Sequence, residues 1–372
     1  MNTFGGNDLK RLIKCSFNQV NLTRKKVVIG LLVLFSVILG SHLITKNQSR
    51  VDAVDDGFNS EQINQLIDAA HLKGSLLLIK DKKVIYTNSY GYADEDKKQK
   101  NTPDTLYPMA SIQKRMTALM IGQLIGEGKL NYDDVLADFY PMIPHADQVT
   151  VRELLDHRSG YMMPEVPATE VLMTEEAQLN NVIANTTYSD RHNYAYSNGN
   201  YAYLAAIVSK LDNQTYEESL KKRVLEPLKM ENTYFWNDLP KNQLVAKEYK
   251  YQEADYGTEN LVYSKELMST LLGAGNLYTT VNDLARYELA LEEGVILSQK
   301  AQDELFQRNG LWASRMKGIS GNISSDILGL GGYNSLIYGD EGNEAVIIWL
   351  SNQMPMTSRD GLIQDIYGEL KK

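Results

Sequence analysis

The first apolar feature of the chain is a charge-free run over 27–40, which Ser41-His-Leu-Ile44 extends toward the roughly 20 residues a membrane helix requires. Lys10, Arg11, Lys14, Arg24, Lys25 and Lys26 precede it. The pattern therefore predicts a basic cytoplasmic segment (1–26), a transmembrane anchor (27–44) and an outward-facing remainder. No small-x-small pair follows the run, which favours an uncleaved anchor over a signal peptide. Residues 45–58 are polar and aperiodic, a linker, and the folded domain is expected over 59–372. That domain opens with a predicted helix from Glu61 to Ala70. Two strand-like stretches, 74–80 and 83–90, flank Asp81-Lys82 and read as a hairpin at a sheet edge. Residues 116–125 are apolar nearly all round, so the helix they form should be buried. From about 130 to 310 the chain is rich in helices and loops, with amphipathic stretches over 217–224 and 281–292. Strands return at 332–338 and 345–351 about a turn at 339–343, and a helix over 358–370 closes the chain. Strands at both ends with helices between them predict an α+β fold: one antiparallel sheet built from the chain termini, flanking helices and an inserted helical subdomain.

Composition changes this picture little. Of 372 residues, 43% are apolar and 23% charged, as in a globular protein. The single cysteine, Cys15, precedes the apolar run, so a lipidated cysteine after it and a disulfide in the outer domain are both excluded. Charge is more informative. The first 44 residues hold six of the 38 Lys and Arg and one of the 47 Asp and Glu, leaving the remainder about 14 charges negative. Such a surface repels nucleic acid and favours cationic groups, although general solubility accounts for the same excess. Histidines at 42, 71, 145, 157 and 192 show no metal-ligand spacing, and neither a phosphate loop nor a dinucleotide fingerprint occurs, so no metal and no cofactor is expected.

Candidate chemistry starts at Ser111-Ile-Gln-Lys114. An i, i+3 spacing puts both side chains on one helix face, where a neutral amine can take the hydroxyl proton. Burial and the helix N-terminus would both lower the Lys114 pKa enough to make it a base. An N-cap serine followed by a surface lysine has the same spelling. A second element lies 85 residues on, Tyr196-Ser-Asn198, whose phenol can relay a proton to a leaving group and whose amide can hold a substrate or orient Lys114. Tyr188, Tyr194, Tyr201 and Tyr203 crowd around it, and core packing accounts for most of them.

With these motifs the chain resembles the serine β-lactamase-like hydrolases, which include class C β-lactamases, DD-peptidases and related esterases. The resemblance runs from about 60 to 370. It includes Val151-Arg-Glu-Leu-Leu-Asp-His-Arg-Ser-Gly160, similar to the family's L-L-x-H-x-S-G segment; Glu226-Pro-Leu-Lys-Met-Glu-Asn-Thr233, similar to its P-L-G-M-x-x-T turn; and residues 273–286, similar to its G-G-L-x-S-T-x-x-D-L-A-R segment. What it implies is Ser111 as nucleophile, Lys114 and Tyr196 as proton carriers, a structural role for His157, and substrate or oxyanion contacts from Asn198, Gly329 and Gly332. One departure stands out. The family's His/Lys-x-Gly motif should fall at Asp326-Ile-Leu, with Gly329 one place beyond the usual glycine, so the cation that helps bind a substrate carboxylate is missing. A D-alanyl ester, carrying an ammonium and no carboxylate at that point, suits this better than a D-Ala-D-Ala peptide. Ser-Ile-Gln-Lys is also similar to membrane-anchored teichoic-acid D-alanine esterases of Gram-positive bacteria. The resemblance thus implies an extracellular esterase on a cell-envelope polymer, teichoic acid or peptidoglycan. A DD-carboxypeptidase or β-lactamase, and a non-catalytic wall-binding or sensor protein of the same fold, remain alternatives; the oligomeric state is left open.

Overall fold

The computed structural model describes residues 58–251, 253–257, 264–306, 316–323, 332–353 and 359–372. The expected anchor, 27–44, lies outside them, as does Gly329. Among the described residues no helix is long and apolar enough to cross a membrane.

Helix α1 (Ser60–Ala69) is capped by Asn59, whose side chain accepts the Gln62 N–H. Strands β1 (Lys73–Lys80) and β2 (Lys83–Tyr90) follow. They join through Asp81 and Lys82, both with positive φ (49° and 63°), the twist that two-residue hairpin turns need. Helix α2 (Gln113–Gly126) is buried on nearly every side, as the largely apolar stretch 116–125 predicts, and its first turn buries Gln113, Lys114 and Arg115 as well. Helices α3 (Asn198–Asp212) and α4 (Val281–Glu292) belong to the long insertion. The chain then returns through β3 (Met316–Ile323), β4 (Tyr333–Asp340) and β5 (Ala345–Gln353), and ends in α5 (Arg359–Leu370).

The five strands form one antiparallel sheet in the order β3-β4-β5-β1-β2, so both chain ends build it and β1 lies beside β5. Register sets two faces. Leu77 and Ile79 of β1 lie opposite Ile348 and Val346, and these residues face the larger core with Met116, Leu119 and Ile121 of α2. Leu76, Leu78, Ile347 and Trp349 face the other way, onto Ile63 and Ile67 of α1 and Leu362, Ile363 and Ile366 of α5. A strand covered on both faces must be apolar at every position, which is why β1 reads as a continuous Leu-Leu-Leu-Ile run.

Two elements depart from expectation. Strand β3 was not foreseen: Met-Lys-Gly-Ile-Ser-Gly-Asn-Ile has two glycines and no apolar alternation, and among the described residues it pairs on one side only, with β4. The helix expected over 217–224 is α-helical only for Tyr216–Leu220 and continues as a π-turn through Lys221–Leu225.

Candidate active site

Ser111 sits in a single 3-10 turn, Ala110–Ile112, that runs directly into α2. The approach is tied down on two sides. Met109 N–H donates to the Leu277 carbonyl, and Ser335 Oγ of β4 donates to the Pro108 carbonyl at 2.6 Å. Ala110 adopts φ 51°, a left-handed conformation that costs an L-residue about 1–2 kcal/mol, and it turns the chain sharply just before the serine. The surrounding packing must hold this conformation in place.

Lys114 lies one turn further along the same face and is almost fully buried, 2% exposed. Its Nζ donates to Ser111 Oγ at 3.0 Å and to the Ala274 carbonyl at 2.7 Å. Burial disfavours the ammonium and brings its pKa down to about 7, against an opposing pull from the Glu165 carboxylate. The 273–276 turn that supplies the carbonyl is riveted to α2. Gln113 Nε2 donates to Asn276 Oδ1 (2.9 Å), Asn276 N–H donates back to Gln113 Oε1 (2.6 Å), and Thr117 Oγ1 donates to the Gly273 carbonyl (2.7 Å). Gly273 has φ 65°, and a Cβ there would lie 2.7 Å from Ala205 Cβ, so only glycine fits the approach. Gln113, Thr117 and Asn276 were not singled out from the sequence, although the 273–286 motif pointed at the turn itself.

The second motif arrives from the start of α3. Tyr196 OH lies 2.7 Å from Ser111 Oγ, and its ring passes 4.9 Å from Lys114 Nζ. Desolvation, chiefly, raises the phenol to about 12, so it holds its proton at neutral pH. His157 supports this loop. Its Nδ1 accepts the Ser197 N–H at 3.2 Å and faces Asn200 Nδ2 at 3.2 Å, while its ring stacks obliquely on Tyr196 at 4.5 Å. Burial and the neighbouring Lys114 push the imidazole down to about 3, which keeps it neutral. It is a strut for Tyr196. Of the neighbouring tyrosines, 201 and 203 are core residues, whereas Tyr194 is 46% exposed.

Asn198 is buried, and its Nδ2 donates to Glu165 Oε2 at 2.6 Å. Its amide is thus bonded to Glu165 and not to Lys114. Glu165 was missed because it stands in an aperiodic segment, Met-Met-Pro-Glu-Val-Pro, with no spacing to mark it. Gly332, expected among the substrate or oxyanion contacts, is held in close backbone packing. Its N–H donates to Glu248 Oε1 at 2.9 Å, and a Cβ there would lie 2.2 Å from the Tyr249 carbonyl. Tight backbone packing therefore explains this glycine, and its N–H is already engaged.

A terminal-strand sheet with a helical insertion, carrying a serine, a buried lysine and a tyrosine in mutual contact, defines the class of serine hydrolases. The profile of the Beta-lactamase family matches residues 61–367, and the chain belongs to that family. It is 24% identical over 276 residues to the teichoic acid D-alanine hydrolase of Staphylococcus aureus (72% of this chain, 68% of that protein). It is 25% identical over 264 residues to the putative penicillin-binding protein PbpX of Bacillus subtilis (70% of this chain, 64% of that protein). Among solved structures it resembles FmtA from Staphylococcus aureus, with a TM-score of 0.73 at 22% identity over 90% of this chain and 94% of that one. It also resembles the D-amino acid amidase of Ochrobactrum anthropi, with a TM-score of 0.70 at 22% identity over 84% of this chain and 99% of that one.

Proposed function

We propose that the protein is a serine esterase that releases D-alanine from D-alanyl esters of a cell-envelope polymer, teichoic acid in the first place, through an acyl-enzyme. The observation that carries this is the convergence on one hydroxyl of a lysine amine at 3.0 Å and a phenol at 2.7 Å. Lys114, with its pKa near 7, is neutral in a large fraction of molecules at physiological pH and takes the Ser111 proton as Oγ bonds to the ester carbonyl carbon. Tyr196 gives its proton to the departing alcohol oxygen as the ester C–O bond breaks, and the Lys114 ammonium returns a proton to the phenolate. Water then surrenders a proton to Lys114 and attacks the acyl carbon. Ser111 Oγ leaves and is reprotonated, so the net change is one ester and one water to one acid and one alcohol. The backbone N–H of Ser111 is one donor to the developing oxyanion, and the second belongs to the segment around Gly329, as the family resemblance implies.

The ester reading draws on the name of the Staphylococcus aureus relative, the excess negative charge of the outer domain and the absence of a His/Lys-x-Gly cation from the sequence. The same reading puts the enzyme outside the cell, tethered by residues 27–44. The test is to offer the purified protein D-alanylated lipoteichoic acid and a D-Ala-D-Ala peptide side by side, with a penicillin probe as a third arm. Release of D-alanine from the polymer alone is expected. Peptide cleavage or covalent penicillin labelling without polymer deacylation would transfer the assignment to a DD-peptidase or β-lactamase. Inertness toward all three would leave a wall-binding protein.

A further inference from the structure

We propose that Glu165, together with Oδ1 of Asn198, is the subsite that holds the free ammonium of an aminoacyl substrate, and so makes the enzyme selective for esters with an unblocked α-amino group. The inference rests on the acyl-hydrolase reading of Ser111 and adds to it the group that chooses the substrate.

The argument begins with donors and acceptors. A carboxylate only accepts, so Glu165 forces the Asn198 amide to turn its NH2 toward it, at 2.6 Å. Oδ1 must then point the other way. It is buried and has no hydrogen-bond partner among the described residues. A buried acceptor without a donor is costly, and native proteins retain one mainly where something else supplies the donor. Beside it stands a carboxylate that is itself exposed to solvent and close enough to act electrostatically on both Lys114 and Tyr196. The unmet requirement two residues from Tyr196 is thus a donor for the Asn198 Oδ1 together with a counter-charge for the Glu165 carboxylate. An α-ammonium provides this; an N-acylated amino group is neutral and has a single N–H.

The pair is also held in place. Met163 N–H donates to Ser197 Oγ at 3.1 Å, two residues before Glu165 meets Asn198, so the 163–165 segment is fastened to the start of α3 by consecutive rungs. Ser197 is in turn fixed by His157. The same short stretch that presents Tyr196 to Ser111 therefore presents Glu165 and Asn198, and preorganisation of this kind is what selectivity demands. A D-Ala-D-Ala peptide or a penicillin, whose amino group is acylated, would cover the carboxylate without compensating its charge.

The test compares two esters that differ only at nitrogen, D-alanine methyl ester and N-acetyl-D-alanine methyl ester, on the full chain and on Glu165→Gln. A site built around a polar partner discriminates strongly when that partner is removed. We expect kcat/KM for the free-amine ester to fall about tenfold or more, and that for the acetylated ester to stay within about threefold, as the charge is lost but the side-chain shape is kept. An equal fall on both esters would mean that Glu165 only positions Asn198, and an unchanged ratio would mean that it does not read the amine; either overturns the proposal. A second arm is independent of turnover. In Ser111→Ala protein, calorimetric binding of D-alanine methyl ester should be lost when Glu165→Gln is added. Failure of the ester to bind Ser111→Ala, or binding that Glu165→Gln does not weaken, also overturns it. If the wild-type chain hydrolyses neither ester while this Glu165-dependent binding persists, the esterase reading fails and the amine subsite stands.

Discussion

The outer layer of the sheet and the wall around Ser111 make opposite choices. Between the sheet and helices α1 and α5 the packing is built from apolar residues, Ile63, Ile67, Leu76, Leu78, Ile347, Trp349, Leu362, Ile363 and Ile366, and the buried amide of Asn334 is matched to the Trp349 Nε1–H. Around Ser111 a lysine and a histidine are buried, an alanine is held at positive φ, and an amide oxygen of Asn198 lacks a donor among the described residues. Each of these works against stability by desolvation, strain or an unmet hydrogen bond. The layer supplies stability that the wall gives up, and the contrast predicts that substitutions in the two regions will differ in sign as well as in size.

The largest effect should come from Ser111→Ala, which is expected to cut ester hydrolysis by about ten-thousandfold or more while leaving the thermal midpoint in place. Activity within a factor of ten of wild type would dissolve the distinction by removing the chemistry from the wall. In the layer, Trp349→Ala should cost about 3–5 kcal/mol in denaturant unfolding, through loss of its area and of the Nε1–H bond to Asn334 Oδ1 at 3.0 Å. The activity of the fraction that remains folded should be preserved. Tyr196→Phe keeps the ring and deletes the proton donor, so kcat should drop about a hundredfold or more with little change in KM.

Lys114→Met is the sharpest test of the comparison. The unfolded lysine keeps its proton up to its ordinary value of 10.5, whereas the native amine releases it near 7. Between those values the unfolded chain binds more proton, so native stability rises with pH there, and at pH 7 and below the penalty is fully present. Replacing Lys114 should therefore abolish activity yet stabilise the fold at pH 7 by about 1–2 kcal/mol, with the gain shrinking as pH approaches 10.5. A destabilised variant would mean that the bonds to Ser111 and Ala274 outweigh desolvation. The smallest effect is on pH dependence. kcat/KM should rise with pH through an acid limb near 7 as Lys114 loses its proton, and Glu165→Gln should move that limb lower, since the carboxylate favours the ammonium. A limb that does not move would place Glu165 outside the field felt by the base.

Two levels of information separate cleanly in this chain. Hydrophobic period and turn chemistry, read along the sequence, determined the hairpin about Asp81-Lys82, the buried helix after Ser111, the helix over 281–292, the terminal strands β4 and β5, and an α+β sheet built from both ends. The spacing of Ser111 and Lys114 already put them on one face, because i and i+3 meet on any helix. The helices, the hairpin and the individual strands rest on interactions within a few residues, where local propensity and burial agree. Strand β3 escaped notice because an edge strand with two glycines carries little of that local signal. Only the tertiary structure decided that Tyr196, 85 residues away, reaches Ser111 Oγ, that Lys114 is dry enough to lose its proton near 7, that the Gly332 N–H is spent on Glu248, and that Glu165 turns the Asn198 amide. Desolvation and fields between charges depend on which distant segments close over a group, and no window of sequence holds both sides of that contact.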